Sequence, residues 1–201
     1  MTSAEDRTAK LAAARGRIPP IKLAHIVRRT ARFEAMLGWY QTVLGATVVH
    51  SDGTLAFLTY DVEHHRIAIA AIPGLPDQPP LAAGTDHVAF TLADLGDLLH
   101  TYARLKGEGI EPYWCINHGL TTSMYYKDPD ANRIELQVDN FPTAAETNRW
   151  IRSSGFAANP IGVVFDPEAL LARYRAGETM EQLTAQPPLP EGATPFDMLR
   201  F

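Results

Sequence analysis

Cysteine is almost missing from this chain: Cys115 stands alone among 201 residues. One thiol excludes a disulfide framework within the chain and a zinc site built on cysteines. Long apolar runs are missing too, so no segment reads as a membrane span. The opening MTSAEDRTAKLAAARGR has no apolar stretch after its charges and does not read as a secretory signal. Nor is there an excess of positive charge. Eighteen Lys and Arg face 23 Asp and Glu, for a formal net charge of −5, whereas a chain whose main partner is nucleic acid needs a basic face. What is present is 46% hydrophobic and 20% charged, the balance of a folded domain and not of a disordered one. These features predict a soluble, cytoplasmic chain with neither membrane nor nucleic acid as partner. At this length it is one domain with an appendage, or two small modules sharing a core.

Residues 1–18 are polar and alanine-rich, an arm ended by Pro19-Pro20. Ile21 to Val27 reads as a strand and Thr30 as the cap of a helix. That helix carries Phe33, Met36, Leu37, Tyr40 and Leu44 on one face, and Gly45 follows its end. Strands are expected at Ala46–His50, Leu55–Tyr60 and Arg66–Ile72. From Pro73 to Thr85 four prolines and two glycines mark a linker. The pattern then restarts with a strand at Asp86–Phe90. A helix with Leu95, Leu98, Leu99, Tyr102 and Leu105 on one face follows, stopped by Gly107 and Gly109. Strands near Glu111–Cys115, Ser123–Lys127 and Arg133–Val138 complete it. His25 lies 20 residues before Gly45, and His87 lies 20 before Gly107. The chain therefore reads as an α+β protein in which a βαβββ unit occurs twice, its curved sheets pairing around a cleft. The expected divisions are an arm (1–20), a domain over 21–141 with modules 21–73 and 86–141, and a C-terminal extension (142–201). In the extension Asp166-Pro167 opens a short helix from Glu168 to Gly177. Four prolines keep the last fifteen residues extended, against the body or a neighbouring molecule.

Three residues stand at comparable places in the repeat. His25 and His87 sit on the opening strands, and Glu135 sits on the closing strand of the second unit. Two imidazoles and one carboxylate on rigid strands, with other positions open, match a facial triad for non-heme ferrous iron. Taken singly, a histidine on a strand is more often a hydrogen-bonded core residue than a ligand. Glu135 alternates with Ile134 and Leu136 and is as readily a solvated group. The repeat lifts the three together. His65, His118 and Tyr125 are also chemically apt. An imidazole titrating near neutrality moves protons, and a phenol can hydrogen-bond a developing oxyanion. A solvated histidine pair, a loop histidine and a core tyrosine are the plain alternatives. Trp114, just before the His118 loop, is a candidate wall of an aromatic pocket.

The segment INHGLTTSMYYKDPDANRIE resembles the signature of the extradiol ring-cleavage dioxygenases. His118, Met124, Tyr125, Asp128-Pro129 and Glu135 fall in its places. HHRIAIAAIP is similar to the family segment carrying an active-site acid–base histidine. LAHIVRRT and TDHVAF are similar to its two histidine-ligand strands. One departure is Ala131, where the family has glycine; Asn132 is expected to supply the turn conformation instead. The resemblance implies the vicinal oxygen chelate fold in its single-domain form, with two paired modules and a metal-binding cleft. It implies Fe(II), or Mn(II), held by His25, His87 and Glu135. It further implies extradiol cleavage of a catechol-type diol by dioxygen. His65 would be the proton donor, Tyr125 the hydrogen-bond partner of the deprotonated substrate oxygen, and His118 a pocket group binding a substrate oxygen. Paired repeats and a long tail imply a homo-oligomer. Glyoxalase-like isomerases or lyases share the fold, as do small-molecule binding and resistance proteins. A glyoxalase-type site resembles this one but adds a carboxylate in the first module. Taking the 48-residue interval from His87 to Glu135, that position falls near Ala71 to Pro73, where no carboxylate stands.

Overall fold

The computed structural model describes residues 16–79 and 82–200. The first fifteen residues of the expected arm lie outside the described residues, as do Pro80 and Leu81 of the linker.

The first unit runs β1 (Ile26–Thr30), α1 (Phe33–Leu44), β2 (Thr47–Ser51), β3 (Leu55–Thr59) and β4 (Ile67–Ala71). The second runs β5 (His87–Thr91), α2 (Leu95–Gly107), β6 (Trp114–Asn117), β7 (Thr121–Lys127) and β8 (Arg133–Asp139). Each makes a mixed sheet of the same design, in the orders β1-β4-β3-β2 and β5-β8-β7-β6. The first and last strands of each unit pair in parallel, and the remaining pairs are antiparallel. The architecture is thus α+β with a duplicated βαβββ unit.

Several boundaries moved, each for a physical reason. β1 begins at Ile26, not Ile21, because only Ile26–Thr30 finds a partner in β4. The Leu23 and Ala24 carbonyls before it accept from the Arg66 guanidinium instead, at 2.7 and 3.1 Å. β1 also runs past Val27 through Arg28, Arg29 and Thr30, polar residues that an apolar-run reading cuts off. Thr30 does not cap the helix. It ends the strand, buried, and its hydroxyl accepts the Arg32 amide at 2.7 Å, while α1 starts without a side-chain cap. β6 is displaced to Trp114–Asn117 because its far edge pairs with β9 (Val163–Val164) from the extension, with Ile116 opposite Val164.

The extension is more structured than its sequence pattern announced. It forms α3 (Ala144–Ile151), α4 (Ser154–Ala158), the expected α5 (Pro167–Arg175), α6 (Met180–Thr184) and a 3-10 turn at Pro195–Met198. Hydroxyls start α3 and α4: Thr143 accepts from Glu146 N, and Ser153 from Phe156 N. Asp166 caps α5, accepting the Glu168 amide at 2.9 Å.

One apolar core lies behind both sheets. α1 packs against α2, and Met36, Tyr40, Leu58, Ile67 and Ile69 join Leu98, Leu99, Leu105, Tyr126, Ile134 and Leu136 in a single buried cluster. Leu170 and Leu171 of α5 and Leu183 of α6 enter it as well. At about 1.5–3 kcal/mol per fully buried large side chain, this cluster dominates what holds the two units together. Polar ties reinforce it. The Tyr40 hydroxyl accepts from Arg28 Nε at 3.0 Å and donates to Asp128 Oδ2 at 3.1 Å, and Arg32 bridges Asp130 and Asp77. Asp128 organises the turn before β8, its Oδ1 accepting the amides of Asp130 and Asn132 at 3.0 and 2.9 Å. Within that turn Ala131, not Asn132, takes the left-handed conformation, at φ +62°. The expected substitution of roles between the two neighbours does not occur.

Candidate metal centre and substrate face

Strand alternation divides each sheet into an inner face toward the core and an outer face away from it. In the second unit, register aligns Ala89, Glu135, Tyr125 and Trp114 in one row across β5, β8, β7 and β6. In the first, the matching row is Val27, Ala68, Phe57 and His50. The counterpart of Glu135 is therefore Ala68, not a residue near Ala71 to Pro73, because the first unit is shorter before its closing strand. The counterpart of Tyr125 is Phe57. Neither carboxylate nor phenol survives in the first row.

His87 precedes Ala89 by two and shares its face. Its Nε2 lies 3.1 Å from Glu135 Oε2, and its Nδ1 lies 2.7 Å from Asp86 Oδ2. Asp86 in turn accepts from Arg133 Nη1 at 2.7 Å. The Glu135 hydrogen bond raises the His87 pKa to about 9, over the opposing effect of burial and with help from Asp86. Burial works to raise the Glu135 pKa, but hydrogen bonds from His87 and Ser123 and the His87 charge outweigh it, so the carboxyl is held below its ordinary value. Glu135 is 4% exposed. A buried carboxylate and an imidazole sharing one proton are donors that a divalent cation can take over by displacing that proton. The Asp86 bond fixes Nε2 as the free donor, the arrangement usual around metal-bound imidazole.

Tyr125 lies beside them. Its ring meets His87 edge-on at 5.3 Å and stacks on Trp114 at 4.5 Å. Burial, then the charge of Glu135, pushes its pKa well above the ordinary phenol value. His118 caps the β6–β7 hairpin, with Nε2 3.1 Å from the Tyr125 hydroxyl and Nδ1 against the Ile161 carbonyl. Burial pushes the His118 pKa down. The imidazole is therefore neutral with its proton on Nδ1, facing a carbonyl that can only accept, which leaves Nε2 as an acceptor beside Glu135 for the single Tyr125 hydroxyl proton. Ile161 is set by a turn in which Asn159 bonds both the amide and the carbonyl of Gly162, at 2.9 and 3.0 Å. Val163, Met198, Leu189 and Ala193 of the extension complete a small apolar cluster over Ile116, Tyr125 and Trp114.

His25 and His65 stand together elsewhere. Their rings are 4.4 Å apart, and His65 stacks on Phe57 at 4.5 Å. Burial and the imidazoles of His25 and His64 push the His65 pKa down. Thus of the six residues singled out from the sequence, four gather on the second sheet and two on the first. Among the described residues no three His, Cys, Asp or Glu side chains meet in a ready metal cage. Sequence reasoning missed Asp86, although it adjoins a proposed ligand, and the Asn159–Gly162 turn, which carries no periodic signal.

Residues 22–136, more than half the chain, match the family model described as Glyoxalase/Bleomycin resistance protein/Dioxygenase superfamily. The chain belongs to that superfamily. Two relatives come from Rhodococcus globerulus. The chain is 48% identical to biphenyl-2,3-diol 1,2-dioxygenase 2, over 81% of this chain and 86% of the relative. It is 44% identical to biphenyl-2,3-diol 1,2-dioxygenase 3, over 82% and 88%. The crystal structure of a glyoxalase family protein from Enterococcus faecalis superposes with a TM-score of 0.50 and 20% identity, covering 58% of this chain and 97% of that one. At that identity it speaks for the fold alone. In this member of the superfamily, then, the duplicated unit is joined to an extension that reaches the second sheet's outer face. No helix of the described residues is long and apolar enough to cross a membrane.

Proposed function

We propose that the chain is an extradiol dioxygenase that opens the ring of a catechol-type aromatic diol, with His25, His87 and Glu135 holding Fe(II), or Mn(II) in its place. What carries the reading is the second sheet's cluster. An imidazole–carboxylate pair at 3.1 Å stands beside a phenol whose hydroxyl is held by a neutral imidazole. The names of the two Rhodococcus relatives support it. A glyoxalase-type set would need a carboxylate at Ala68. Bound there, a ferrous ion supplies the redox chemistry that lets a diolate react with dioxygen.

The chain's own groups supply the rest. Asp86 holds the His87 ring so that Nε2 faces Glu135. Tyr125, kept protonated by burial, offers its hydroxyl as hydrogen-bond donor to a deprotonated substrate oxygen. His118, with Nε2 unprotonated, accepts a hydrogen bond from the second substrate hydroxyl, or from Tyr125 when that hydroxyl is not there. Trp114 and the apolar residues of the extension wall off water beside Tyr125, and Phe57 stacks against His65 on the first sheet. His65, neutral near pH 7, takes up and delivers a proton as the ring opens. Both oxygen atoms of dioxygen enter the product, a yellow 2-hydroxymuconic semialdehyde in the case of catechol. A cytoplasmic setting belongs to this reading, in keeping with one buried, unpaired thiol.

The deciding experiment is anaerobic loading with Fe(II), then addition of 2,3-dihydroxybiphenyl or catechol in air, with His65→Ala alongside. One dioxygen consumed per yellow product is expected, with a rate loss on the order of 10²–10⁴ in the variant. A metal-loaded protein that consumes no dioxygen with either diol overturns the reading.

A further inference from the structure

The outer face of the second sheet has two unlike ends. Opposite Tyr125 on β6 stands Trp114, with apolar residues of the extension packed against it. Two residues farther along β7 and toward the start of β8 the chemistry reverses. Register sets His87, Arg133 and Lys127 in one row across β5, β8 and β7. That row adjoins the row of Glu135 and Tyr125 and lies on the same face. A cavity of about 570 Å³ opens beside it. The cavity reaches His87, and among its described lining residues Arg28, Lys127 and Arg133 face the single carboxylate of Asp86.

The three cations differ in what already answers them. Arg133 donates to Asp86 at 2.7 Å. Arg28 is engaged by the Tyr40 hydroxyl and by Asn132 Oδ1. Lys127 has no carboxylate partner among the described residues. Its Nζ lies over the ring of Tyr113, 4.7 Å from the centroid, and that ring stands edge-on to Tyr125 at 6.3 Å. The ammonium is thereby held one ring away from the phenol that meets the substrate. Burial pushes the Tyr113 pKa up to about 12, so this ring stays protonated and brings no charge to offset the ammonium. A ring face holds an ammonium more weakly than a charge-assisted hydrogen bond to an anion does, which leaves the position open to a better partner.

Reach says where that partner belongs. The two rows are two residues apart, about 7 Å along a strand. A diol whose oxygens lie at Glu135 and Tyr125 carries its ring partway across that interval, and a short arm on the ring covers the rest. A hydrocarbon arm there would strip water from the ammonium and return nothing. A carboxylate arm would pair with it. At the other end, among Trp114, Val163 and Met198, the same carboxylate would be buried without a cation.

We propose that the diol taken by this chain bears a carboxylate on a short arm, and that Lys127 selects it by pairing with that carboxylate. The reaction served rests on the dioxygenase reading, whereas recognition of the acidic arm does not.

Two probes of one shape provide the test: 3-(2,3-dihydroxyphenyl)propanoate and the corresponding amide, which lacks the charge. Each is titrated anaerobically into the Fe(II)-loaded protein by calorimetry and then turned over in air. The wild-type chain should bind the acid about 10–100-fold more tightly than the amide. The same preference should appear in kcat/KM, through KM and not kcat. Added salt should weaken the acid and spare the amide. Lys127→Met keeps the length and loses the charge, and should abolish the preference; Lys127→Arg should restore most of it. A loss of packing alone would weaken both probes together and leave their ratio unchanged. Equal binding of acid and amide by the wild-type chain, or a preference that survives Lys127→Met, overturns the proposal, while ring opening of either probe would still uphold the dioxygenase reading. Tighter binding of the acid through Lys127 with no dioxygen consumed keeps the acid recognition and sinks the reaction. Binding of neither probe sinks both.

Discussion

Nε2 of His118 stands 3.1 Å from the Tyr125 hydroxyl as an acceptor, because the proton of that imidazole is committed to the Ile161 carbonyl on its other side. The extension thereby decides which way a hydrogen bond on the second sheet runs. Gly162 makes this approach possible: at φ +117°, a Cβ there would run into the Asn117 carbonyl oxygen. Gly162→Ala should displace Ile161 and release the tautomer. Turnover is expected to fall by roughly 10–10², as misplaced catalytic groups generally cost. The nitrogen shifts of the His118 ring should show loss of the Nδ1-protonated form. Unchanged shifts would contradict this role for the turn.

Asp86 lies outside any ligand set but orients His87. Asp86→Asn keeps the shape and loses the charge. Metal affinity, measured by competition with a chelator, should fall about 10–100-fold. An unaltered affinity would mean that the Asp86 contact serves only Arg133.

Ala131 occupies the left-handed region without a glycine's freedom. Ala131→Gly should relieve strain of about 1 kcal/mol and raise the melting temperature by roughly 2–4 °C. A lowered melting temperature would show that the Asp128 turn imposes no strain there.

Burial, with some help from Asp166, pushes the Cys115 thiol up to about 12. Since the thiolate is the reactive form, iodoacetamide at pH 8 should leave the folded protein unlabelled and modify it fully after denaturation. Rapid labelling of the native chain would contradict the packing of β6.

Much of this was legible in the sequence because two periods coincide with two elements. Leu98, Leu99, Tyr102 and Leu105 repeat at helical spacing and are buried, and Glu135 sits between Ile134 and Leu136 as alternation requires. The INHGLTTSMYYKDPDANRIE segment brought His118, Tyr125 and Glu135 onto one face, since all three belong to a hairpin and the strand beside it. Register between strands far apart in sequence was not legible. Counting an equal interval placed the counterpart of Glu135 past the end of β4, whereas hydrogen bonding sets it at Ala68. The separation of His25 from His87 was also hidden. A repeat tells that two units are alike, not which faces they turn to each other. The extension escaped for a simpler reason: α3, α4 and β9 are too short to write a period, and capping by Thr143 and Ser153 is their main signal.

The duplicated unit has a last consequence at Ala68. Where the second sheet raises a carboxylate, the first stops at a methyl group, with Phe57 beside it in the next strand. Lacking a donor there, the first sheet leaves no charge to solvate, and the site closes on itself: Ala68 is 3% exposed, and the ring of Phe57 is taken up by His65.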